Sequence, residues 1–250
     1  MKALVLAGGR GSRLDELSSN RNKCMISVMG KHVIEYNLEN AANTDIEEII
    51  IVVGYRAEEI INKIGTEYQG KKIRYVIQPE QKGLVNAMEC AKEALEGHDF
   101  LLLLGDEILI NPRYQTMINM YKSSECAVVC GVLEVGDRNL IKRTYTIIQD
   151  TNNNVYRLIE KPRTPLNNIM GTGDCVFSND IFNYIKFTPV HFERKEKELP
   201  DLIQCAIDEG KVVKTFMVCD KYTNINTKED IHMAEGFFQD HKNTNLREMP

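Results

Sequence analysis

A loop near the amino terminus combines glycines with arginines. After the apolar run ALVL (3–6), the stretch AGGRGSRL (7–14) holds three glycines and the two arginines Arg10 and Arg13. A simple turn needs fewer glycines and gains nothing from the arginines. The backbone amides of a glycine-rich loop can cradle phosphate oxygens, and a guanidinium adds a planar fork of donors. We therefore interpret this stretch as a phosphate-binding loop, with a tight turn as the alternative.

The loop departs from two common phosphate-binding patterns. The dinucleotide pattern GxGxxG fits Gly9 and Gly11 but meets Leu14 at its third glycine. The pattern GxxxxGK[ST] has no counterpart, because no Gly-Lys pair follows within the loop. The type of phosphate ligand is therefore left open by the loop itself.

A carboxylate and a lysine are expected near this loop. Asp106 directly follows the apolar run FLLLLG (100–105). The carboxyl ends of parallel strands meet at one edge of a sheet, where open α/β sheets bind ligands. A carboxylate at that edge, facing a phosphate loop, can hold Mg²⁺. A capping aspartate is the alternative, but Lys23 on the same edge favours the metal site.

The elements that must position these residues alternate between strands and helices in the first half of the chain. Strands are predicted at KALVLA (2–7), EEIIIVVG (47–54), KIRYVIQ (72–78) and FLLLLGD (100–106), and helices at 32–42, 57–64 and 83–95. The strands are apolar throughout, which is typical of strands covered on both faces. The pattern predicts an α/β fold with a doubly wound, mainly parallel, Rossmann-like sheet.

The second half of the chain has a different pattern. Short strands separated by polar turns are predicted at 127–135, 143–150, 154–162 and 173–178, and helices at 179–185, 199–210 and 227–239. We expect antiparallel strands that form a substrate-binding lid over the first sheet. We predict a single domain over 1–240, with a nucleotide-binding half (1–125), a lid half (126–226) and a closing helix (227–240). The segment 241–250 lacks periodicity and is expected to be a mobile tail.

Composition and charge exclude several classes of partner. The chain has 250 residues, 43% of them hydrophobic and 27% charged, with a formal net charge of −5. A negative balance argues against nucleic acid or an anionic membrane as the main partner. No apolar run approaches the roughly 20 residues of a membrane span, and no signal peptide is recognised. The seven cysteines form no CxxC pair, which favours reduced thiols in a cytoplasmic protein, and the five histidines lack metal-ligand spacing.

Six stretches, in chain order, resemble the motifs of the sugar-1-phosphate nucleotidylyltransferases, in particular the glucose-1-phosphate thymidylyltransferases. They are LAGGRGSRL (6–14) followed by Lys23, GKHVIEYNLE (30–39), QPEQKGLVNA (78–87), LLGDEIL (103–109), LIEKP (158–162) and YTNINTKEDI (222–231). The chain departs from the family pattern at Ser12, which stands for threonine, and at NKCM (22–25), where prolines are usual. It also departs at Asn86, which stands for glutamine, and at Asn224, which stands for an aspartate metal ligand.

The resemblance implies a nucleotide-diphospho-sugar transferase fold and a Mg²⁺-dependent reaction. The phosphate of a sugar-1-phosphate acceptor would attack the α-phosphorus of a nucleoside triphosphate, releasing pyrophosphate without a general base. The implied catalytic residues are Arg13, Lys23, Asp106 and Lys161, and the metal ligands are Asp106 and Asn224, with Asn226 in a position to assist. The implied nucleotide-binding residues are Leu6, Ala7, Gly8, Gly9, Arg10, Gly11, Ser12, Gln78, Gly83, Asn86 and Gly105. The implied acceptor-binding residues, in the lid half, are Glu160, Lys161, Thr172, Gly173 and Glu198.

Several alternatives stay open at this point. The departure at Asn86 leaves uridine, thymidine and cytidine nucleotides open. The neutral Asn224 predicts metal binding that is weaker or more dependent on nucleotide. A cytidylyltransferase acting on a non-sugar phosphate or phosphonate is one alternative function, and a non-catalytic sensor of nucleotides or sugar nucleotides is another. A homodimer is expected only on general grounds.

Overall fold

The computed structural model describes residues 1–9 and 21–247, and side chains up to residue 241. The strands are β1 (Lys2–Ala7), β2 (Ser27–Val28), β3 (Lys31–His32), β4 (Glu48–Val53), β5 (Glu67–Tyr68), β6 (Lys71–Ile77), β7 (Phe100–Leu104), β8 (Glu107–Ile110), β9 (Val128–Glu134), β10 (Tyr145–Gln149), β11 (Val155–Glu160), β12 (Ile169–Phe177), β13 (Val213–Met217) and β14 (Lys221–Asn224). The α-helices are α1 (Val33–Ala42), α2 (Ala57–Ile64), α3 (Leu84–Cys90), α4 (Lys92–Leu95), α5 (Tyr114–Ser123), α6 (Leu199–Asp208) and α7 (Lys228–Arg247).

Four parallel strands form the centre of a ten-stranded sheet. Its main order is β11-β10-β12-β7-β1-β4-β6-β5, and β9 pairs with β12 and β13. Strands β7, β1, β4 and β6 run parallel to one another, whereas β12 joins β7 in antiparallel orientation. The antiparallel strands therefore extend this sheet instead of lying over it as expected. The predicted α/β architecture, a parallel centre with antiparallel additions, is confirmed.

Helices cover both faces of the central sheet. Alternate residues of β1 point to opposite faces: Leu4 and Leu6 belong to one apolar core, and Ala3, Val5 and Ala7 to another. This is why β1 is buried along its whole length and lacks polar alternation.

Several elements differ from the sequence-based expectation. Helix α5 and the two-stranded ribbon of β8 and β14 were not predicted. The segment Asn179–Tyr184 is a 3₁₀-helix, and the helix predicted at 83–95 is divided into α3 and α4. Helix α7 continues to Arg247, so the segment expected to be a tail is helical up to that residue. A formed helix gains one hydrogen bond for each added residue, even where no apolar face continues. None of the described helices is long and apolar enough to cross a membrane.

Candidate active site

The predicted lysine, aspartate and asparagines meet at the carboxyl edge of the central strands. The Lys23 ammonium donates hydrogen bonds to the Asp106 carboxylate, to Asn224 Oδ1 at 3.0 Å and to Asn226 Oδ1 at 2.8 Å. Lys23 is only 7% exposed, and its Nζ also forms an ion pair with Asp106. Residues more than 200 positions apart in the sequence therefore share one small polar cluster.

The β8–β14 ribbon explains why the asparagines reach Asp106. In its antiparallel register Asn224 lies opposite Glu107, the residue after Asp106. The Ile225 amide then donates to the Asp106 carbonyl oxygen at 2.9 Å. The Asp230 carboxylate, in the first turn of α7, accepts from the amides of Asn226 and Thr227 at 2.9 Å. These bonds hold the turn that carries Asn226 towards Lys23.

The donor set of this cluster fits a hard divalent cation. One carboxylate and two amide oxygens converge on a single point, and a cationic group, the Lys23 ammonium, already lies there. Oxygen ligands of this kind are the ones that Mg²⁺ prefers. Among the described residues no cluster of three or more His, Cys, Asp and Glu side chains could hold a metal ion. A metal ion at this edge would therefore depend on the two asparagines as well as on Asp106.

A first cavity opens beside this cluster, with a volume of about 310 Å³. It is lined by Leu6, Gly8, Gly9, Lys23, Cys24, Gln78, Gln81, Gly83, Leu84, Ala87, Leu104, Asp106, Glu196 and Asn224. Eight of the residues predicted from the sequence are thus in its wall. Gly105 is adjacent: its amide donates to the Leu6 carbonyl oxygen at 2.9 Å and ties β7 to β1.

Of the residues predicted to contact the base, Gln78 and Gly83 line this cavity and Asn86 does not. Gln78 Nε2 donates to the Gly83 carbonyl oxygen at 3.2 Å and to Asn86 Oδ1 at 3.0 Å. A Cβ on Gly8 would lie 2.6 Å from Gln78 Oε1, so a larger residue there would displace the Gln78 carboxamide. Gly83 has a φ of +92°, a conformation that glycine adopts without strain. Asn86 thus contacts Gln78 as a neighbour and helps to fix the orientation of its amide.

A second cavity of about 170 Å³ adjoins the first one and contains the predicted acceptor residues. Its lining includes Glu160, Lys161, Thr172, Gly173 and Glu198. Leu84, Leu104 and Asn224 line both cavities. The two cavities therefore meet beside the Lys23 cluster.

Two oppositely charged residues of the second cavity, Glu160 and Lys161, form an ion pair. Lys161 Nζ lies 2.9 Å from Glu160 Oε1, and burial raises the pKa of the Glu160 carboxyl above its usual value. Lys161 has a φ of +42°, and its amide donates to the Thr144 carbonyl oxygen at 2.7 Å. This left-handed conformation is uncommon for a non-glycine residue, and the hydrogen bond to Thr144 helps to hold it.

The sequence model of the nucleotidyl transferase family matches residues 2–240. This chain belongs to that family. The UTP–glucose-1-phosphate uridylyltransferase AglF of Haloferax volcanii is 30% identical over 240 residues, which cover 96% of this chain and 97% of the relative. A glucose-1-phosphate thymidylyltransferase of Streptomyces griseus is 27% identical over 234 residues, 92% of this chain and 64% of that relative. The crystal structure of a UDP-glucose pyrophosphorylase in complex with UDP-glucose has a TM-score of 0.86 over 96% of this chain and 98% of the other, at 19% identity, which shows the shared fold.

Four of the predicted residues of this nucleotidyl transferase lie outside the described residues. They are Arg10, Gly11, Ser12 and Arg13. Ala7, the last residue of β1, is buried, and its carbonyl oxygen accepts a hydrogen bond from Asn22.

Two predicted acceptor residues, Thr172 and Gly173, have polar groups that form hydrogen bonds within the protein. The Thr172 hydroxyl donates to the Gly131 carbonyl oxygen at 3.0 Å and accepts from the Asp174 amide at 3.2 Å. The Gly173 amide donates to the Glu107 carboxylate at 3.2 Å. These two positions shape the cavity wall in the nucleotidyl transferase, and their named polar groups already have partners.

Sequence reasoning missed three charged residues at the site. Glu107 is buried, accepts a hydrogen bond from the Tyr222 hydroxyl at 2.5 Å and lines the second cavity. Burial raises the pKa of its carboxyl well above the usual value. Glu196 lines the first cavity, and Arg194 pairs with Glu198. The run FERKEKEL (192–199) was the available signal, but its alternating charges are equally typical of a solvated surface.

Proposed function

We propose that this nucleotidyl transferase joins a uridine or thymidine triphosphate to a sugar 1-phosphate, giving a nucleoside-diphosphate sugar and pyrophosphate. The observation that supports it best is the meeting of two cavities beside the Lys23–Asp106–Asn224 cluster. The larger cavity suits a nucleotide, and the smaller one suits a phosphorylated sugar. The names of AglF and of the Streptomyces griseus relative support both the acceptor and the nucleotides.

The reaction requires two anions to approach each other. The acceptor phosphate oxygen forms a bond to the α-phosphorus, and the bond to the pyrophosphate oxygen breaks in line with it. Lys23, at the junction of the cavities, reduces the charge repulsion at the α-phosphate. Lys161 holds the acceptor phosphate, and Glu160 and Glu198 accept hydrogen bonds from sugar hydroxyls. Both substrates are thereby aligned before the bonds change.

The proposal includes a divalent metal ion, Mg²⁺. Asp106, Asn224 and Asn226 would hold it, because their oxygens converge on one point. When bound, Mg²⁺ supplies further neutralisation of the phosphate oxygens. The acceptor already carries an anionic oxygen near neutral pH, so no side chain has to remove a proton.

The test is pyrophosphate release with UTP, dTTP, CTP, ATP and GTP, each offered with a panel of acceptors. The panel contains sugar 1-phosphates, phosphocholine and a phosphonate. We expect release that requires UTP or dTTP, a sugar 1-phosphate and Mg²⁺. Release with CTP and phosphocholine or the phosphonate would replace this proposal by a cytidylyltransferase acting on non-sugar acceptors. Tight nucleotide binding without release, across the whole panel, would indicate a sensor.

A further inference from the structure

Asn22, the residue before Lys23, is held by an unusually complete set of hydrogen bonds. It has no exposed surface. Its Nδ2 donates to the carbonyl oxygens of Ala7 at 3.0 Å and Tyr55 at 2.7 Å, and its Oδ1 accepts from the Cys24 amide at 2.9 Å. Its own backbone amide donates to Glu59 Oε2 at 2.9 Å. A buried carboxamide with these partners is fixed in one orientation.

The partners of Asn22 belong to the rigid centre of the fold. Ala7 is the last residue of β1, and Tyr55 follows β4, the strand that pairs with β1 in parallel. Glu59 lies in α2. Asn22 therefore fastens the carboxyl ends of two central strands to the short 3₁₀ turn Lys23–Met25. The end of β1, where Leu6 and the following Gly8 and Gly9 line the first cavity, and the turn that carries Lys23 are therefore joined through one side chain.

The backbone of Asn22 adopts a conformation that proline could also adopt. Its φ is −67°, within the range that a pyrrolidine ring imposes, and its ψ of 136° is extended. The family that this chain resembles usually has proline in this segment. A proline would fix φ but has neither the amide that reaches Glu59 nor the carboxamide. In this chain, hydrogen bonds supply the rigidity that a ring would otherwise give.

We propose that Asn22 is a positioning residue that holds the Lys23 ammonium at the junction of the two cavities. Lys23 is a long, flexible side chain whose ammonium must reach three oxygens, those of Asp106 just before β8, Asn224 on β14 and Asn226 just after β14. The direction of that side chain depends on the orientation of the turn at its base, and Asn22 sets this orientation. The inference rests on the proposed role of Lys23 in nucleotidyl transfer.

A double-mutant cycle separates positioning from general stability. The variants are Asn22→Ala, Lys23→Met and the combination, and the measurement is the single-turnover rate of nucleotidyl transfer. We expect Asn22→Ala to lower the rate about 10- to 100-fold, because a small displacement of a catalytic group has effects of this size. In the Lys23→Met background the same substitution should change the residual rate by less than about two-fold.

The matched control is Asn167→Ala, between β11 and β12. Asn167 also donates from Nδ2 to a backbone carbonyl oxygen (Ile147, 2.7 Å) and accepts at Oδ1 from the amide two residues later (Ile169, 3.0 Å). The Asn167→Ala variant loses comparable hydrogen bonds, but Asn167 does not precede Lys23. The rate of nucleotidyl transfer by this variant should therefore stay within about two-fold of wild type. Asn22→Ser keeps an acceptor for the Cys24 amide and should fall between Asn22→Ala and wild type. It provides a folded variant if Asn22→Ala does not fold.

A second measurement does not depend on catalysis. Buried and ion-paired, Lys23 should react slowly with acetic anhydride in the wild-type protein, as followed by mass spectrometry of its peptide. Asn22→Ala and Asn22→Ser should raise the labelling rate of Lys23 several-fold, and Asn167→Ala should not. Unchanged labelling, or an equal rate loss with and without Lys23, would overturn the positioning role. A different outcome is also possible, in which the Asn22 variants show raised labelling of Lys23 but the wild-type protein has no transfer activity. That outcome would overturn the proposed function and leave the positioning of Lys23 intact.

Discussion

Replacing Lys23 with methionine should tighten the binding of a divalent metal ion to the nucleotide-free protein. The Lys23 ammonium lies between the oxygens of Asp106, Asn224 and Asn226, which are the oxygens that would hold the metal ion. The ammonium and the metal ion therefore compete for one place. Methionine has a similar length, carries no charge and packs adaptably, so it removes the competitor with little change in shape.

The size of the effect follows from the charges. Two unit charges about 4 Å apart interact by about 4 kcal/mol in a partly buried protein site, and a dication doubles this figure. The lysine can bend away from the metal ion, so most of this repulsion is relieved by movement of the side chain. If about 1.4 to 3 kcal/mol remains, the dissociation constant falls about 10- to 100-fold in Lys23→Met.

The assay is a titration with Mn²⁺, followed by electron paramagnetic resonance, in the absence of nucleotide. Lys23→Arg keeps the positive charge and is the matched control, which should bind Mn²⁺ as weakly as wild type. Lys23→Met combined with Asp106→Asn should lose the gain, because the carboxylate is the only charged ligand among the three oxygens. Lys23→Met is expected to lose turnover whether or not the ammonium competes with the metal ion, so turnover does not test the competition. Equal or weaker Mn²⁺ binding by Lys23→Met would refute competition for this site.

Three further predictions concern the metal ligand, the cavity wall and a surface ion pair. Asp106→Ala should lower kcat at least about 10²- to 10³-fold without a large loss of thermal stability, and a rate near wild type would exclude Asp106 from the site. In Gly173→Ala the new Cβ would lie 2.1 Å from Leu104 Cδ1. We therefore expect the free energy of unfolding to fall by about 1–3 kcal/mol and the KM for the acceptor to rise. Both values should partly recover in the double variant Gly173→Ala with Leu104→Ala. Hydrogen bonds from Lys2 and Arg74 lower the pKa of the Glu96 carboxyl from 4.5 to about 2. Because the folded-state pKa is depressed, this stabilisation is present above about pH 4.5 and is lost as the pH falls towards 2. Glu96→Gln should therefore lower Tm at pH 7 but not near pH 2, and an equal difference at both pH values would contradict the ion-pair explanation.

The sequence carried enough information to identify the central parallel strands and to place Lys23 and Asp106 at one edge of the sheet. Long apolar runs that end in Gly8 and Asp106 predicted two central strands and placed their ends at one edge. A residue at the carboxyl end of a parallel strand lies at the carboxyl edge of the sheet. The local apolar pattern was therefore sufficient to predict that Gly8 and Asp106 lie at that edge. Lys23 and Asp106 accordingly lie together, as expected.

The sequence could not show contacts that depend on register between distant segments. The ribbon of β8 and β14 pairs two four-residue strands separated by more than 100 positions, and neither is long enough to give a clear period. Asn226 completes the oxygen cluster only because the Asp230 carboxylate holds the turn before α7. Similarly, the burial of Glu107 depends on Tyr222 and Gly173, which lie far away in the chain.

The charge balance of the cluster connects Asn224 with the proposed use of metal. With asparagine at this position, Asp106 is the one carboxylate among the described residues that pairs with Lys23. The carboxylate, the ammonium and the two amides sum to zero formal charge. A second aspartate would leave one negative charge there, which would attract a free metal ion but repel a triphosphate. A neutral cluster neither attracts a free metal ion strongly nor repels a triphosphate strongly. The negative charge that attracts the metal ion must therefore come from the nucleotide itself. On this reasoning the Lys23 ammonium, which now contacts the oxygens of Asp106, Asn224 and Asn226, would move to the phosphate oxygens when a nucleotide with its metal ion binds.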